Sequence, residues 1–423
     1  MPLISLDAAR RRVLAQCLPG RPRAVDLGAA LGCVTSVPLT AEESVPPFAN
    51  TAVDGFAVRA ADVAGARADR PTTLAIIGTI AAGSAPEPAV GAGQAVRILT
   101  GAPLPPGADA VVMVEDTDAW DGRSGQEAGG HSDATAVAVR KAVSQSDNVR
   151  GVGGDILAGQ LVFAAGTVLR AGHLGVLASL GMRKVPVYPR ARVGVLSTGN
   201  ELVEGADALQ PGQIRDSNRR TLLSLVEEAN AEPVDLGVVA DDEAAITEVI
   251  TAGVARCDAV LTSGGVSVGD FDYTKVVLDR LTQRTMQWMQ VAIKPAKPFA
   301  FGTIDATPVF GLPGNPVSAM VSFECLARPA LRQMMGHPDI GRARVSAVAD
   351  EPLRRRPDAK LHFVRVRVDW SDADGRFHVR SSGGQASHLL RSMALANALA
   401  MLPDGDGVDA GGDVAVLLLS WPD

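Results

Sequence analysis

From residue 192 to residue 331 the sequence alternates short β-rich runs with stretches of helical periodicity, and few architectures accept that order. Strands strung between helices of ten or more residues pair most simply as a parallel sheet with crossover helices on its faces. The runs at 192–197, 234–239 and 259–262, and the pair at 299–302 and 307–311, have the composition of buried strands. Between them, 218–229 places Leu222, Val226 and Ala229 on one helical face. A second helix starts from Asp241-Asp242-Glu243 and runs to about residue 255, and a third opens at Gly314-Asn315-Pro316, with asparagine as cap and proline at the first helical position. The expected core of the molecule is therefore a doubly wound α/β domain.

In an open α/β sheet, ligands sit beyond the carboxyl ends of the strands. The segments that follow the strands here are Ser197-Thr-Gly-Asn-Glu201, Ala240-Asp241-Asp242, Ser263-Gly264-Gly265 and Leu312-Pro313-Gly314-Asn315-Pro316. All four belong to one rim. Each also has a plain structural reading: Asp241 as a helix cap, Asn315-Pro316 as a capping signal, Gly264-Gly265 as a tight turn, and Glu201 and Asp272 as solvated loop carboxylates. A glycine pair between strand and helix is equally a way to present backbone amides to an anion. In Ile293-Lys294-Pro295-Ala296-Lys297-Pro298 each lysine precedes a proline, which favours extended backbone. A polyproline-like run would project Lys294 and Lys297 from one side. Upstream, Asp54-Gly55 between alternating apolar residues reads as a hairpin turn, and Thr100-Gly101 as the end of a strand. Carboxylates, glycines and lysines converging on one rim suit a phosphate-bearing ligand with Mg²⁺ between acid groups and phosphate oxygens.

At 423 residues the chain needs more than one core, since a domain averages roughly 150 residues. A net charge of −7 without a concentrated basic footprint argues against nucleic acid as the main partner. Four scattered cysteines, with no CxxC pair, indicate neither a disulfide framework nor a cysteine-rich zinc site, and a cytoplasmic location is expected. The N-terminal segment reads as a helix capped by Ser5 with Leu6, Ala9, Val13 and Leu14 on its apolar face, not as a signal peptide. No stretch reaches the ~20 apolar residues that span a bilayer, so no membrane role is expected. Residues 51–118 and 135–170 read as β structure with long connections, 120–135 as a loop, and the runs at 345–349, 362–369, 377–381 and 414–420 as a small β domain. The expected partition is a discontinuous linker domain (1–50 and 141–188), a β-rich domain (51–140), the α/β domain (189–336) and a C-terminal β domain (343–423).

The pieces PPFANTAVDGFAVR (46–59), RILTGAPLPPGADAVV (97–112), STGNEL (197–202), SGGVSVGDFDYTK (263–275), IKPAKPFAFG (293–302), GLPGNPVS (311–318), GGQASH (383–388) and ALANAL (394–399) together resemble the molybdopterin molybdenumtransferase family, the MoeA proteins and the E domain of gephyrin. The resemblance spans nearly the whole chain in order. It implies a multidomain α/β fold: a doubly wound central domain like that of the molybdopterin adenylyltransferases, β-rich N-terminal domains and a small C-terminal β-barrel-like domain. It further implies a homodimer whose active cleft is shared between subunits, acting on adenylylated molybdopterin and molybdate with Mg²⁺ and releasing AMP, with transient contacts to other cofactor-biosynthesis proteins.

Carried over by motif, Asp54, Thr100, Glu201, Asp241, Asp272, Lys294 and Lys297 match positions the family uses in catalysis. Glu201, Asp241 and Asp272 would hold the metal. Arg150, Ser263, Gly264, Gly265, Pro313, Gly314, Asn315 and Pro316 would contact substrate, and Asp155 matches a further functional segment. The sequence departs from the family at Val152, Gly153 and Gly154, where arginines and an acid are common, at Asn200 for a frequent aspartate, and at Ala386 for a glycine. On this reading the Gly264 and Gly265 amides and the lysine pair hold anionic groups, while Asp54 of the other subunit orients the nucleophile. The alternatives are a molybdopterin adenylyltransferase, disfavoured by the motifs at 46–59, 97–112 and 383–388, and a non-enzymatic scaffold, disfavoured by the acidic rim.

Overall fold

The computed structural model describes residues 2–120, 135–265 and 273–422, so nearly all of the loop expected at 120–135 lies outside the described residues. The chain forms two compact units, one of residues 1–37, 166–170 and 184–423 and one of residues 38–165 and 171–183.

At the centre of the larger unit is a sheet built from β1 (Arg192–Thr198), β2 (Glu232–Val239), β3 (Ala259–Ser263), β4 (Gln287–Val291), β5 (Pro298–Ile304) and β6 (Thr307–Leu312). With the short strand Leu3–Ile4 at one edge, the order is Leu3–Ile4, β4, β5, β6, β3, β1, β2. Strands β6, β3, β1 and β2 run parallel, but β5 is antiparallel to both of its neighbours. The sheet is thus mixed, where the sequence suggested a parallel one. The cause is local: β5 and β6 are joined by Asp305 and Ala306, both at positive φ (47° and 70°), a two-residue hairpin connection too short for any crossover. Strand β4 and Leu3–Ile4 carry no clear sequence signal, because one interleaves Gln287 and Gln290 with its apolar residues and the other is only two residues long.

Helices cover both faces. Helices α1 (Asn218–Glu228), α4 (Pro316–Ser322) and α5 (Arg328–Met334) share a core with the N-terminal helix Leu6–Leu14, through Leu222, Val226, Val317, Val321 and Leu331 packed with Val193, Val195, Leu261 and Phe310. Helices α2 (Glu243–Arg256) and α3 (Tyr273–Leu281) pack Ile246, Ile250, Val277 and Leu278 against Leu196, Val260 and Val309 on the other face. Successive residues of β1 thus feed opposite cores, as the two-residue repeat of a strand requires. The N-terminal helix is capped as expected, Ser5 Oγ accepting from Ala8 N–H at 3.2 Å.

The C-terminal strands Leu361–Ser371, Arg376–Ser381, Arg344–Ala349, Asp413–Leu418 and Ala398–Leu402 pair in that order, and the last returns to pair with the first. This closes a five-stranded barrel with no free edge, filled by Val366, Val368, Val379, Ala400 and Val416. Ile293–Lys294 adds to its rim beside Leu361 and His362.

The smaller unit is β-rich: Ala136–Val139, Thr72–Ile80, Gln94–Ile98, Gly55–Val58 and Ala110–Met113 form a five-stranded sheet in that order. Apolar clusters line both of its faces, which is why Gly55–Val58 is buried throughout.

Candidate active site

The carboxyl ends of β6, β3, β1 and β2 lie side by side, so the four polar segments that follow them form one row, as expected. Residues of adjacent segments are joined directly. Asn200 N–H donates to Asp241 Oδ2 (3.3 Å), and Asp241 N–H donates to Asn200 Oδ1 (3.0 Å). This reciprocal clasp fixes Asp241 beside the Glu201 loop, and among the described residues its other carboxylate oxygen takes no hydrogen bond. The cap of α2 is Asp242, whose Oδ1 accepts from Ala245 N–H at 2.8 Å. Asp241 is therefore not the helix cap that its position in the sequence also allowed.

Glu201 is exposed and folds back over Gly199; a Cβ at residue 199 would lie 2.6 Å from a Glu201 carboxylate oxygen. At the next strand end, a Cβ on Gly264 would stand 3.1 Å from Thr198 O and one on Gly265 would overlap Thr274 Cβ at 2.3 Å. Both glycines have positive φ (94° and 73°), so two reasons exclude a side chain. Gly264 N–H, however, donates to Leu312 O at 3.1 Å, which corrects the expectation that both amides face an anion. Of the two amides, that of Gly265 has no such partner among the described residues. Ser263 is 2% exposed and its hydroxyl receives Asn218 Nδ2 at 2.8 Å; the same amide donates to Gly314 O at 2.7 Å. Asn315 starts α4 without a side-chain cap bond, followed by Pro316. Pro313 is buried and Gly314 exposed. Val317 N–H, in the first turn of α4, donates to Ser387 O (3.1 Å), which brings the 383–388 segment to this end of the row.

Behind the row, Asp216 has a side chain only 1% exposed and accepts from Ser197 Oγ (3.1 Å) and from Arg219 Nε (3.1 Å). Arg219 also pairs with Asp235 and Glu204. Neither Asn218 nor Asp216 was singled out by sequence reading. The available signal was Asp216-Ser217-Asn218, a cluster of capping residues directly ahead of a helix.

The two lysines depart from the expected geometry. Ala296 between them has a φ of 79°, and Val291 N–H closes back onto Lys297 O at 2.7 Å, so the segment is a compact loop and not a polyproline-like run. Both lysines are exposed. Lys294, held by the barrel edge beside His362, lines a cavity of about 410 Å³ with Arg354, His362, Arg365 and Gln385, and Lys297 is not among its lining residues. Arg365 donates to Gly384 O (2.9 Å) and Ala386 O (3.2 Å); burial pulls its pKa down to about 10, which still leaves it charged at neutral pH.

In the smaller unit, Asp54 and Thr100 are brought together. Asp54 Oδ1 accepts from Thr100 N–H (2.6 Å) and from Thr100 Oγ1 (2.8 Å). Asp54-Gly55 is not a hairpin turn: Gly55 opens a central strand, where a Cβ would lie 1.9 Å from Val112 O. Arg150 is exposed on a strand paired with Asn50–Thr51, and Asp155 N–H donates to Val45 O. Asp272 and Asp270 lie outside the described residues. Among the described residues no group of three or more His, Cys, Asp or Glu side chains is arranged to hold a metal ion. All four cysteines are free and buried, and burial pushes Cys17 and Cys325 up to about 12. These thiols are protonated at neutral pH, so they supply no sulfur ligand. Among the described residues no helix is long and apolar enough to cross a membrane.

Three family models match in sequence order: the MoeA N-terminal region (domain I and II) over residues 4–181, a "Probable molybdopterin binding domain" over 194–333, and the MoeA C-terminal region (domain IV) over 347–419. The chain is 36% identical over 417 residues to a molybdopterin molybdenumtransferase of Haemophilus influenzae, covering 98% of each protein. It is 38% identical over 399 residues to molybdopterin molybdenumtransferase 2 of Mycobacterium tuberculosis, covering 93% of this chain and 94% of that one. Two crystal structures of a molybdopterin biosynthesis protein MoeA from Pyrococcus horikoshii superpose with TM-scores of 0.77 and 0.75 at 29% and 28% identity, covering 99% of this chain and 100% of theirs.

Proposed function

The chain belongs to the MoeA family of molybdopterin molybdenumtransferases, enzymes of molybdenum cofactor biosynthesis, and from that membership we propose how its own residues divide the work. The observation that carries the reading is the convergence of Glu201, the clasped Asp241 and two glycine turns at the ends of four adjacent strands. The substrates on this reading are adenylylated molybdopterin and molybdate. An oxygen of water or of molybdate bonds to phosphorus as the bridging P–O bond of the adenylate breaks and AMP leaves, and the two dithiolene sulfurs bond to molybdenum while their two thiol protons leave with one displaced molybdate oxygen as water.

Glu201 and Asp241 suit Mg²⁺, which is commonly held by one or two carboxylates together with substrate phosphate, without a full protein cage. Asp241 keeps one oxygen free of the Asn200 clasp and Glu201 is exposed, so both can accept a hard cation. Asp272 is the third candidate ligand by motif. When bound, the ion would offset negative charge on the adenylyl phosphate. The Gly265 amide would donate to a phosphate oxygen at the same end of the sheet. Lys294, with Arg365 in the lining of the same cavity, supplies a cationic setting for the molybdate oxyanion, and Lys297 a second ammonium group on the same loop. Pro313, Gly314, Asn315 and Pro316 would shape the wall against the pterin.

The Asp54 and Thr100 pair completes the machinery from a second copy of the chain in a homodimer, with the Asp54 carboxylate oriented by Thr100 to direct the attacking oxygen. Arg150 and Asp155 would flank that pair. A cytoplasmic site of action accords with four free thiols.

Incubation with adenylylated molybdopterin, molybdate and Mg²⁺, following AMP release and molybdenum incorporation together, tests the reading. Glu201→Gln should lower AMP release by about 10²-fold or more with the unfolding temperature unchanged. A folded Glu201→Gln enzyme running at the wild-type rate across Mg²⁺ concentrations would sink the metal assignment.

A further inference from the structure

We propose that Asn218 is a positioning residue for the adenylyl phosphate, setting the spacing between the two turns that frame its site. The inference rests on the reading of the strand ends as the phosphate site. Asn218 is the first residue of α1, and its side-chain amide crosses to two separate segments, reaching Ser263 Oγ at 2.8 Å and Gly314 O at 2.7 Å. Ser263 ends β3 and Gly314 lies just past the end of β6, and the loops that leave these two strand ends carry Gly264-Gly265 and Gly314.

The orientation of the amide is fixed by chemistry. A backbone carbonyl can only accept, so the NH₂ group must face Gly314 O, and the flipped amide would set two oxygens against each other. Both N–H bonds are then used, one on each turn. Ser263 Oγ must accept, which leaves its single proton for another acceptor.

The turns so joined are in close contact. A Cβ on Gly314 would lie 3.9 Å from Gly264 Cα, and Gly264 N–H is already spent on Leu312 O. The direction of the remaining Gly265 amide therefore depends on how the β6 loop sits against the β3 loop. Asn218 is the side chain whose amide bonds both segments at once. Alanine at 218 would leave Gly314 O without this donor, so that beyond the Gly264–Leu312 bond the two loops are held less tightly. Helix α1 itself would survive, because alanine is a good helix former and Ser217 makes no side-chain cap bond that could be disturbed.

The test compares wild type, Asn218→Ala, Ser263→Ala, the double variant and Glu201→Gln. AMP affinity is read by calorimetry, kcat and KM for AMP release are read separately, and hydrogen–deuterium exchange is followed in peptides covering 261–265 and 312–316. Asn218→Ala should weaken AMP binding about tenfold or more and raise exchange in those two peptides while the rest of the α/β domain keeps its protection. Adding Ser263→Ala should cost less in the Asn218→Ala background than in wild type, because one of its bonds is already gone. Wild-type AMP affinity in Asn218→Ala, or full additivity of the two substitutions, overturns the proposal. If Asn218→Ala does not fold, Ser263→Ala alone must show the raised exchange at 312–316, and its absence overturns the proposal equally. Loss of AMP release in Glu201→Gln beside a normal Asn218→Ala rejects only the role of Asn218. Normal release in both rejects the phosphate-site reading as well.

Discussion

At the scale of single residues, the positions that resist substitution are those where backbone approaches backbone. Gly55 is the sharpest case, since a methyl group there would stand 1.9 Å from Val112 O in the middle of the sheet. Gly55→Ala should cost about 2–4 kcal/mol in denaturant unfolding and also disturb the adjoining Asp54, so AMP release should fall with stability. An unchanged unfolding midpoint would contradict the packing. The sequence marked Asp54-Gly55 but offered a hairpin as its reason. The motif was legible and its physical cause was not, because the carbonyl that excludes a side chain comes from a strand more than fifty residues away. Asp241 and Asp242 teach the same lesson: two neighbouring aspartates can each cap a helix on paper, and only the Asn200 clasp assigns them different tasks.

At the scale of elements, the helical stretch from Pro316 to Met334 carries a buried ionic cluster whose sign of charge matters. Glu324 has a fully buried side chain and accepts two bonds from Arg342, Nε to Oε2 at 2.8 Å and Nη2 to Oε1 at 2.7 Å. Arg342→Ala would leave that carboxylate with only the longer Arg328 Nε pairing at 3.7 Å, and a loss of about 3–5 kcal/mol is expected at neutral pH. Unfolding within 1 kcal/mol of wild type would show the pair to be dispensable. Just beyond α5, His337 is buried, and burial together with the charges of Arg332 and Arg328 pulls its pKa from 6.5 down to about 4. Because the folded state binds this proton less readily than the unfolded chain, its contribution is complete above pH 6.5 and is lost as pH falls towards 4. Relative to His337→Gln, the wild type should lose about 2–3 kcal/mol over that window. Parallel stability–pH curves for the two proteins would contradict it. The Asp350–His378–Asp374 group on the barrel surface works in the opposite sense: the two carboxylates raise the pKa of His378, so its small contribution is present at low pH and fades as pH rises through that value.

At the scale of the whole molecule, the proposed sharing of a cleft gives a quantitative expectation. In a random equal mixture of Asp54→Ala and Glu201→Ala chains, half the dimers are mixed and each of these rebuilds one intact site, so about a quarter of wild-type activity should return. Verified mixed dimers without activity would place Asp54 and the strand-end residues in one subunit. By itself the sequence determined five of the strands and three of the helices from 192 to 331, the convergence of polar segments on one end of the sheet, and the family, because those properties follow from periodicity, capping and motif order along the chain. Only the tertiary structure decided that β5 runs antiparallel, that the lysine segment is a compact loop, that Gly264 spends its amide on the sheet, and that Asn218 bridges two turns. The last two depend on partners far away in sequence, Leu312 for Gly264 and Ser263 and Gly314 for Asn218, and which distant group completes a hydrogen bond is settled when the chain packs; the first two turn on short closures, at Asp305-Ala306 and between Val291 and Lys297, that periodicity does not reveal.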